Sequence, residues 1–257
     1  MNTSNSNKSE NSRGILAFAT NTADTNYVEI ANRTLPVASK ILNIPYKIIT
    51  GSASEQNFRF DIDQQKFVSW NNLDRYMAYD LSPYDETIVI DVDYLVLDNT
   101  LSKIFDCSWD YVIQRHSSAL TQEWPNIMGP NSLPFVWATV FAFRKTTRAK
   151  LFFDLIKRIQ NNYSYYFNLF NVRERNYRND YAFAMADYIL NGYRAGTNTI
   201  PGTMLTVDQT IESMQLTDHS VIIRDQERGY VVPRTNLHIM SKKYLLGDNF
   251  DQFVKQL

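Results

Sequence analysis

The sequence predicts an α/β protein built on a mostly parallel, doubly wound sheet, and three observations predict it. Apolar runs of strand length alternate with helical patterns from Ile15 to about Leu190. One of those runs, Ile88-Val89-Ile90, is apolar at consecutive positions, which suits a central strand covered on both faces. Beyond Leu190 the helical spacing gives way to short β-type segments, so the sheet is expected to carry a C-terminal excursion of β and irregular structure.

Met1–Arg13 is rich in Asn and Ser and has no apolar residue beyond the initiator, so a disordered tail is expected there, with one domain over residues 14–257. Ile15–Thr20 reads as a first strand, with Asn21–Asp24 as its polar exit. Val28, Ala31, Leu35, Ala38 and Leu42 recur at helical spacing; Pro36 interrupts them, which predicts a kink or two short helices near Thr34. Tyr46–Thr50 reads as a second strand. Asn72 is expected to cap a helix that turns Leu73, Met77 and Leu81 inward. Ser82-Pro83 then turns the chain into the strand that ends at Asp91. Tyr111–Gln114 and Phe135–Phe143 are further strands. A helix follows from Thr147 to about Tyr163 with Leu151, Leu155, Ile156 and Ile159 on one face, and another covers Asp180–Leu190. Val221–Arg224, Tyr230–Val232 and Leu237–Met240 read as short β segments. There is no internal repeat and no interior linker.

Composition bounds the function classes. With 44% hydrophobic and 21% charged residues over 257 positions, the chain can build a real core. A net charge of −1 gives no overall attraction to nucleic acid or to an anionic membrane. The single Cys107 excludes an intrachain disulfide and suits a reducing compartment. No signal-peptide core and no membrane-spanning run is present, so a cytoplasmic protein is expected.

The segment from Thr87 to Asp98, Thr-Ile-Val-Ile-Asp-Val-Asp-Tyr-Leu-Val-Leu-Asp, carries the chemistry. Side chains alternate along an extended backbone, so Asp91 and Asp93 should leave the strand end toward one side. Two carboxylates so placed are poised to hold a divalent cation, at the strand end where ligands of open α/β sheets gather. The plainer alternative is a polar turn closing an ordinary strand. No G-x-G-x-x-G follows the first strand, which argues against a dinucleotide site.

The order of Leu16-Ala-Phe-Ala-Thr-Asn21, Tyr27, Arg75, Asp91-Val-Asp93 and a late His238 followed by lysines resembles metal-dependent glycosyltransferases of the GT-A fold. The nearest likeness is to family 8, the group containing glycogenin and galactinol synthase, and it spans Gly14 to about Leu246. Arg75 stands sixteen residues ahead of Asp91, the family's separation for its basic residue. The resemblance implies a Rossmann-like GT-A domain that moves a sugar from a nucleotide donor, with UDP as the expected nucleotide. It assigns Asp91, Asp93 and His238 to a metal, manganese or magnesium, with the imidazole favouring manganese. Thr20, Asn21 and Tyr27 would bind base and ribose, with the Tyr27 ring stacking. Arg75 and a lysine would grip the donor's phosphates; Lys242 is favoured over Lys243. Asp180 would face the anomeric carbon and the acceptor, either to orient or to deprotonate it. The alternatives are a satisfied strand histidine for His238, a surface pair with Asp74 or Asp80 for Arg75, a solvated lysine pair, and a helix N-cap for Asp180.

Departures from the family bear on substrate. Ser241 and Lys242-Lys243-Tyr244 replace its glycine and Lys-Pro-Trp, and Trp137-Ala138-Thr139 stands where Asn-Ala-Gly or Asn-Ser-Gly borders the donor sugar. The tryptophan predicts a reshaped pocket and a donor sugar other than glucose or galactose, such as a pentose. Residues 161–178 interleave aromatics with Arg173, Arg175 and Arg178, a strip able to stack on sugars or on bases. The acceptor is left open among a saccharide, a polyol, a protein and a modified DNA base. Two rivals remain. Asp91 as nucleophile and Asp93 as acid would fit a haloacid-dehalogenase-type phosphatase. The other is an inactive descendant that only binds a nucleotide sugar.

Overall fold

In a computed structural model, residues 12–51, 57–71, 74–122, 133–172 and 176–257 are described. Among them the chain opens with β1 (Arg13–Ala19), α1 (Tyr27–Leu42), β2 (Tyr46–Thr50), and a hairpin of β3 (Asn57–Asp61) and β4 (Lys66–Trp70). A 3₁₀ turn at Arg75–Met77 leads into α2 (Ala78–Leu81), β5 (Glu86–Ile90) and β6 (Tyr94–Leu95). After a second 3₁₀ segment, Thr100–Asp106, come β7 (Tyr111–Gln114), β8 (Ser117–Ala119) and β9 (Trp137–Arg144). Helices α3 (Thr147–Asn161), α4 (Tyr163–Leu169) and α5 (Asn179–Leu190) follow. The last part holds β10 (Met204–Val207), β11 (Ser213–Leu216), β12 (Ser220–Arg224), β13 (Gly229–Pro233) and β14 (Leu237–Ile239), then α6 (Lys242–Leu246) and α7 (Asp248–Val254).

The central sheet has the order β2-β1-β5-β9-β7. β1 pairs in parallel with both β2 and β5, whereas β9 runs antiparallel to β5 and β7, so four strands point one way and one the other. Two apolar faces on each central strand explain the layers. Ile15, Ala17, Ile88 and Ile90 pack toward α1 and the C-terminal β structure. Their neighbours Leu16 and Val89 turn to the opposite face, with Phe141, Phe143 and the α3 and α5 residues Phe152, Phe153 and Phe183. Burying side chains of this size is worth about 1.5–3 kcal/mol each, which is what an uninterrupted apolar run secures. The expected doubly wound α/β architecture is therefore present, with a mostly parallel sheet and a C-terminal β excursion.

A second sheet, β6-β14-β10-β8, stands against the carboxyl end of β5. It forms because the chain turns sharply after Ile90: Asp91 N–H donates to the Thr139 carbonyl at 2.9 Å and Tyr94 N–H to the Asp91 carbonyl at 3.0 Å. Tyr94 then pairs with His238, and Leu95 with Leu237. Asn236, buried, fixes this junction by accepting from Leu97 N–H at 2.8 Å.

Several expectations need correction. α1 continues through Pro36 as one helix. The lost N–H is outweighed by the buried face of Ile30, Ala31, Leu35, Val37, Ala38 and Leu42, and Thr34 Oγ1 ties the helix to the Val92 carbonyl at 2.7 Å. The expected helix before β5 is only a 3₁₀ turn and α2; it buries Ala78, while Met77 and Leu81 are half-buried. The expected cap Asn72 and Leu73 lie outside the described residues. α3 buries Ala149, Phe152, Phe153, Ile156 and Ile159, with Leu151 exposed and Leu155 half-buried, because the two phenylalanines claim the sheet side. Order reaches back to Ser12, which bonds Asp85, and Arg13, whose Nε bonds Glu86 at 2.8 Å; residues 1–11 lie outside the described part. The β3–β4 hairpin, β10 and β11 were not foreseen. No helix among the described residues is long and apolar enough to cross a membrane.

Candidate active site

β5 stops at Ile90, and the turn after it presents Asp91 and Asp93 at the strand's carboxyl end. The β6–β14 pairing brings His238 beside them, and Ile239 N–H donates to the Asp93 carbonyl at 2.8 Å. One ligand atom from each of Asp91, Asp93 and His238 lies within 4.8 Å of the other two. Thr206 on β10, in register with His238, meets its Nδ1 at 3.3 Å, leaving Nε2 toward Asp93 Oδ2 at 3.7 Å. Two carboxylate oxygens and an imidazole nitrogen, with the second ring nitrogen held from behind, are the donor set of a divalent-cation site. These residues fit the metal expected from sequence.

Two cations face the acidic pair. Arg75, in the 3₁₀ turn, pairs with Asp91; its Nη1 also donates to the Ala138 carbonyl at 3.3 Å. Neither Asp74 nor Asp80 is its partner, so the surface-pair alternative does not hold. Lys242, at the start of α6 and buried, pairs with Asp93 and donates to the Ile239 carbonyl at 2.8 Å. Lys243 is exposed. Burial alone would push the Asp93 carboxyl up, but Lys242 and His238 together hold it well below the usual range. For Asp91 burial prevails, so its carboxyl is raised; Arg75 only partly offsets this, and Asp93 adds to it.

Two cavities meet at the pair. The first, about 370 Å³, lies over the ends of β1 and β2 and is lined by Phe18, Thr20, Tyr27, Thr50 and Gly51 among others. The second, about 230 Å³, is lined by Trp137, Thr139, Asp180, Thr206 and His238 among others. Arg59, Trp70, Arg75, Asp91 and Asp93 border both. Asp180 is no N-cap: Arg178 holds that position and Asp180 sits in the first turn of α5. Its carboxylate accepts from Ala138 N–H at 2.9 Å and pairs with Arg178 at 2.7 Å. Trp137 is buried and packs on Phe135, ring centres 4.7 Å apart.

Two expected nucleotide contacts look different in space. Asn21 Oδ1 accepts from Val28 N–H at 2.9 Å at the start of α1. Tyr27 is buried with the Arg59 guanidinium over its ring at 5.9 Å, and burial pushes its phenol up to about 12. In the 161–178 strip, Tyr163, Tyr166, Phe167, Phe170 and Tyr177 pack on the core, while Tyr165 is exposed; Arg173 and Arg175 lie outside the described residues. Arg59, Trp70 and Thr206 line the candidate site and were missed by the sequence reading. The alternation in Phe58-Arg59-Phe60-Asp61 and Lys66-Phe67-Val68-Ser69-Trp70 around a polar turn was a usable hairpin signal.

No protein-family model matches the chain, and none of the curated proteins matches it. Similar solved structures are glycosyltransferases. An active-site mutant of LgtC is similar over 94% of this chain and 94% of its own, at 11% identity and a TM-score of 0.49. The catalytic domain of Drosophila β1,4-galactosyltransferase 7, in complex with xylobiose, is similar over 95% of this chain and 79% of that one, at 11% identity and a TM-score of 0.42. GlyE of Streptococcus pneumoniae is similar over 72% of this chain and 46% of that one, at 11% identity and a TM-score of 0.42. At 11% identity and TM-scores below 0.5, these likenesses assign neither a family nor a role to this chain.

Proposed function

We propose that the protein transfers a sugar from a nucleotide-sugar donor, UDP-linked in the first instance, to an acceptor hydroxyl. The observation that carries this reading is the meeting of Asp91, Asp93 and His238 within 4.8 Å, at the junction of two cavities, with Arg75 and Lys242 beside them. A donor has two halves joined by a diphosphate, and two cavities joined at a cationic and acidic centre suit that shape.

Asp91, Asp93 and His238 would hold manganese or magnesium, which supplies positive charge against the diphosphate that leaves when the glycosidic bond breaks. With the carboxylates committed in this way, Arg75 and Lys242 are released toward phosphate oxygens, where they stabilise the same developing charge. Thr20 lines the cavity for the nucleoside half; Asn21 and Tyr27, beside it, stay part of the proposed nucleotide site. Asp180, held by Arg178 and Ala138, is fixed to orient the sugar or acceptor hydroxyl in the second cavity. Trp137 lines that cavity where the resembled family has a smaller residue, which supports a donor sugar smaller than a hexose. Among the acceptors, the packing of the 161–178 aromatics weighs against a base-stacking strip and toward a saccharide, polyol or protein hydroxyl. The single domain over residues 14–257 belongs to the same proposal.

The test is release of a nucleoside diphosphate from a panel of nucleotide sugars, with and without manganese. Metal-dependent release that Asp93→Ala abolishes supports the transferase. Hydrolysis of p-nitrophenyl phosphate with no nucleotide-sugar turnover would overturn it in favour of the phosphatase, and binding without turnover over a broad acceptor panel would leave only a sugar-nucleotide-binding protein.

A further inference from the structure

Of the basic groups around the two cavities, Arg75 and Lys242 already have carboxylate partners. Arg59 has none: among the described residues its guanidinium is in no ion pair, and its Nε is buried without a hydrogen-bond partner. Arg59 is half-buried, and a buried donor such as its Nε is costly to leave without an acceptor, so an arginine held this way calls for one from outside the chain. Its place says which kind. Arg59 borders both cavities, alongside Asp91 and Asp93, with its guanidinium over the Tyr27 ring at 5.9 Å.

The geometry points to Arg59 as a ligand of the donor's diphosphate, delivered by the β3–β4 hairpin; this rests on the nucleotide-sugar reading above. In a nucleotide sugar the diphosphate is the group between nucleoside and sugar. With the nucleoside in the first cavity and the sugar in the second, the diphosphate must cross the boundary they share, and that boundary is where Arg59 stands. The chemistry agrees: a planar guanidinium matches phosphate oxygens in a two-pronged fashion.

The hairpin is built to hold the arginine there. At one end Asp24, in the exit of β1, accepts from Ser69 N–H and Oγ at 3.2 Å each and pairs with Lys66 at 3.5 Å. At the other, Asp63 in the hairpin turn accepts from Ser241 Oγ at 2.7 Å and from Lys243 N–H at 2.8 Å. The hairpin therefore spans from the nucleoside cavity to the helix that carries Lys242, with Arg59 between them.

The experiment titrates wild type, Arg59→Ala and Arg59→Lys, each with manganese, against UDP, GDP, CDP and ADP. The tightest diphosphate is then compared with its nucleoside by ligand-observed NMR. The expected result is a rise of about tenfold or more in the diphosphate Kd for Arg59→Ala, partial recovery in Arg59→Lys, and a nucleoside Kd within about twofold of wild type. Unchanged diphosphate affinity in Arg59→Ala overturns the inference while leaving the transferase reading intact. Equal weakening of nucleoside and diphosphate also overturns it, since Arg59 would then only support Tyr27. Wild type that binds none of the four diphosphates overturns the donor reading and this inference with it.

Discussion

Replacing Asp93 with Asn tests the centre of the site through stability and ligand binding at once. Asp93 and Lys242 are 7% and 3% exposed, and in the variant the buried ammonium loses its counter-charge and keeps only neutral acceptors such as the Ile239 carbonyl at 2.8 Å. Breaking a buried pair by removing one partner costs about 3–5 kcal/mol. The lower end applies here, because burial already holds the Lys242 ammonium below its usual value despite Asp93, so it sheds its proton more cheaply. A loss of about 3 kcal/mol corresponds to about 6–12 °C in Tm for a chain of this size. Asp93→Asn/Lys242→Met should regain most of that, since apolar volume replaces the pair. Manganese at a hundredfold excess over its Kd should stabilise wild type by about 2.7 kcal/mol, and neither variant should respond. The assay is a thermal melt with and without manganese chloride. A single variant that melts with wild type, or that keeps the manganese shift, refutes the reasoning.

Other predictions follow from the same contacts. Thr206→Val removes the hydroxyl that meets His238 Nδ1 and should weaken manganese binding by about 10–100-fold, measured by calorimetry, with little change in Tm. Lys243→Ala should leave nucleotide affinity within about twofold, whereas Lys242→Ala should not, because the former side chain is exposed and the latter is buried at Asp93. On acidification, the Asp93 pairing should contribute fully above the ordinary carboxylate pKa of 3.8 and be lost as pH falls below it toward the depressed folded value. Wild type should therefore lose more stability than Asp93→Asn between pH 4 and the acid limit of the melt, with equal losses counting against the pairing. Trp137→Ala, which opens the second cavity, should shift donor preference toward hexoses in a nucleotide-sugar competition assay; unchanged preference would remove Trp137 from the specificity account.

Much of this was legible in the chain because it was written locally. Ile88-Val89-Ile90 announced a strand with two covered faces, and Asp91 and Asp93 at its end marked a candidate cation site. His238 could be tied to them only by resemblance, since the β6–β14 pairing that joins them spans most of the chain and leaves no periodic trace. The hairpin carried a local signal in its alternation around a polar turn, but Arg59 did not: Phe58, Phe60 and Phe67 are exposed, so no core face marks which residue turns to the cavities. Pro36 was open to a kink or to two short helices, and the buried face of α1 together with the Thr34–Val92 bond keeps a single helix. Asn21 was ambiguous for a local reason, because an asparagine after a strand serves a helix start as readily as a ligand.

The measurement that bears most directly on the account is an anomalous diffraction map from crystals soaked in manganese and UDP. The account predicts one strong peak coordinated by Asp91, Asp93 and His238 Nε2, with diphosphate oxygens completing its shell. Manganese bound at other residues, or UDP seated with its phosphates away from the acidic pair, would contradict it.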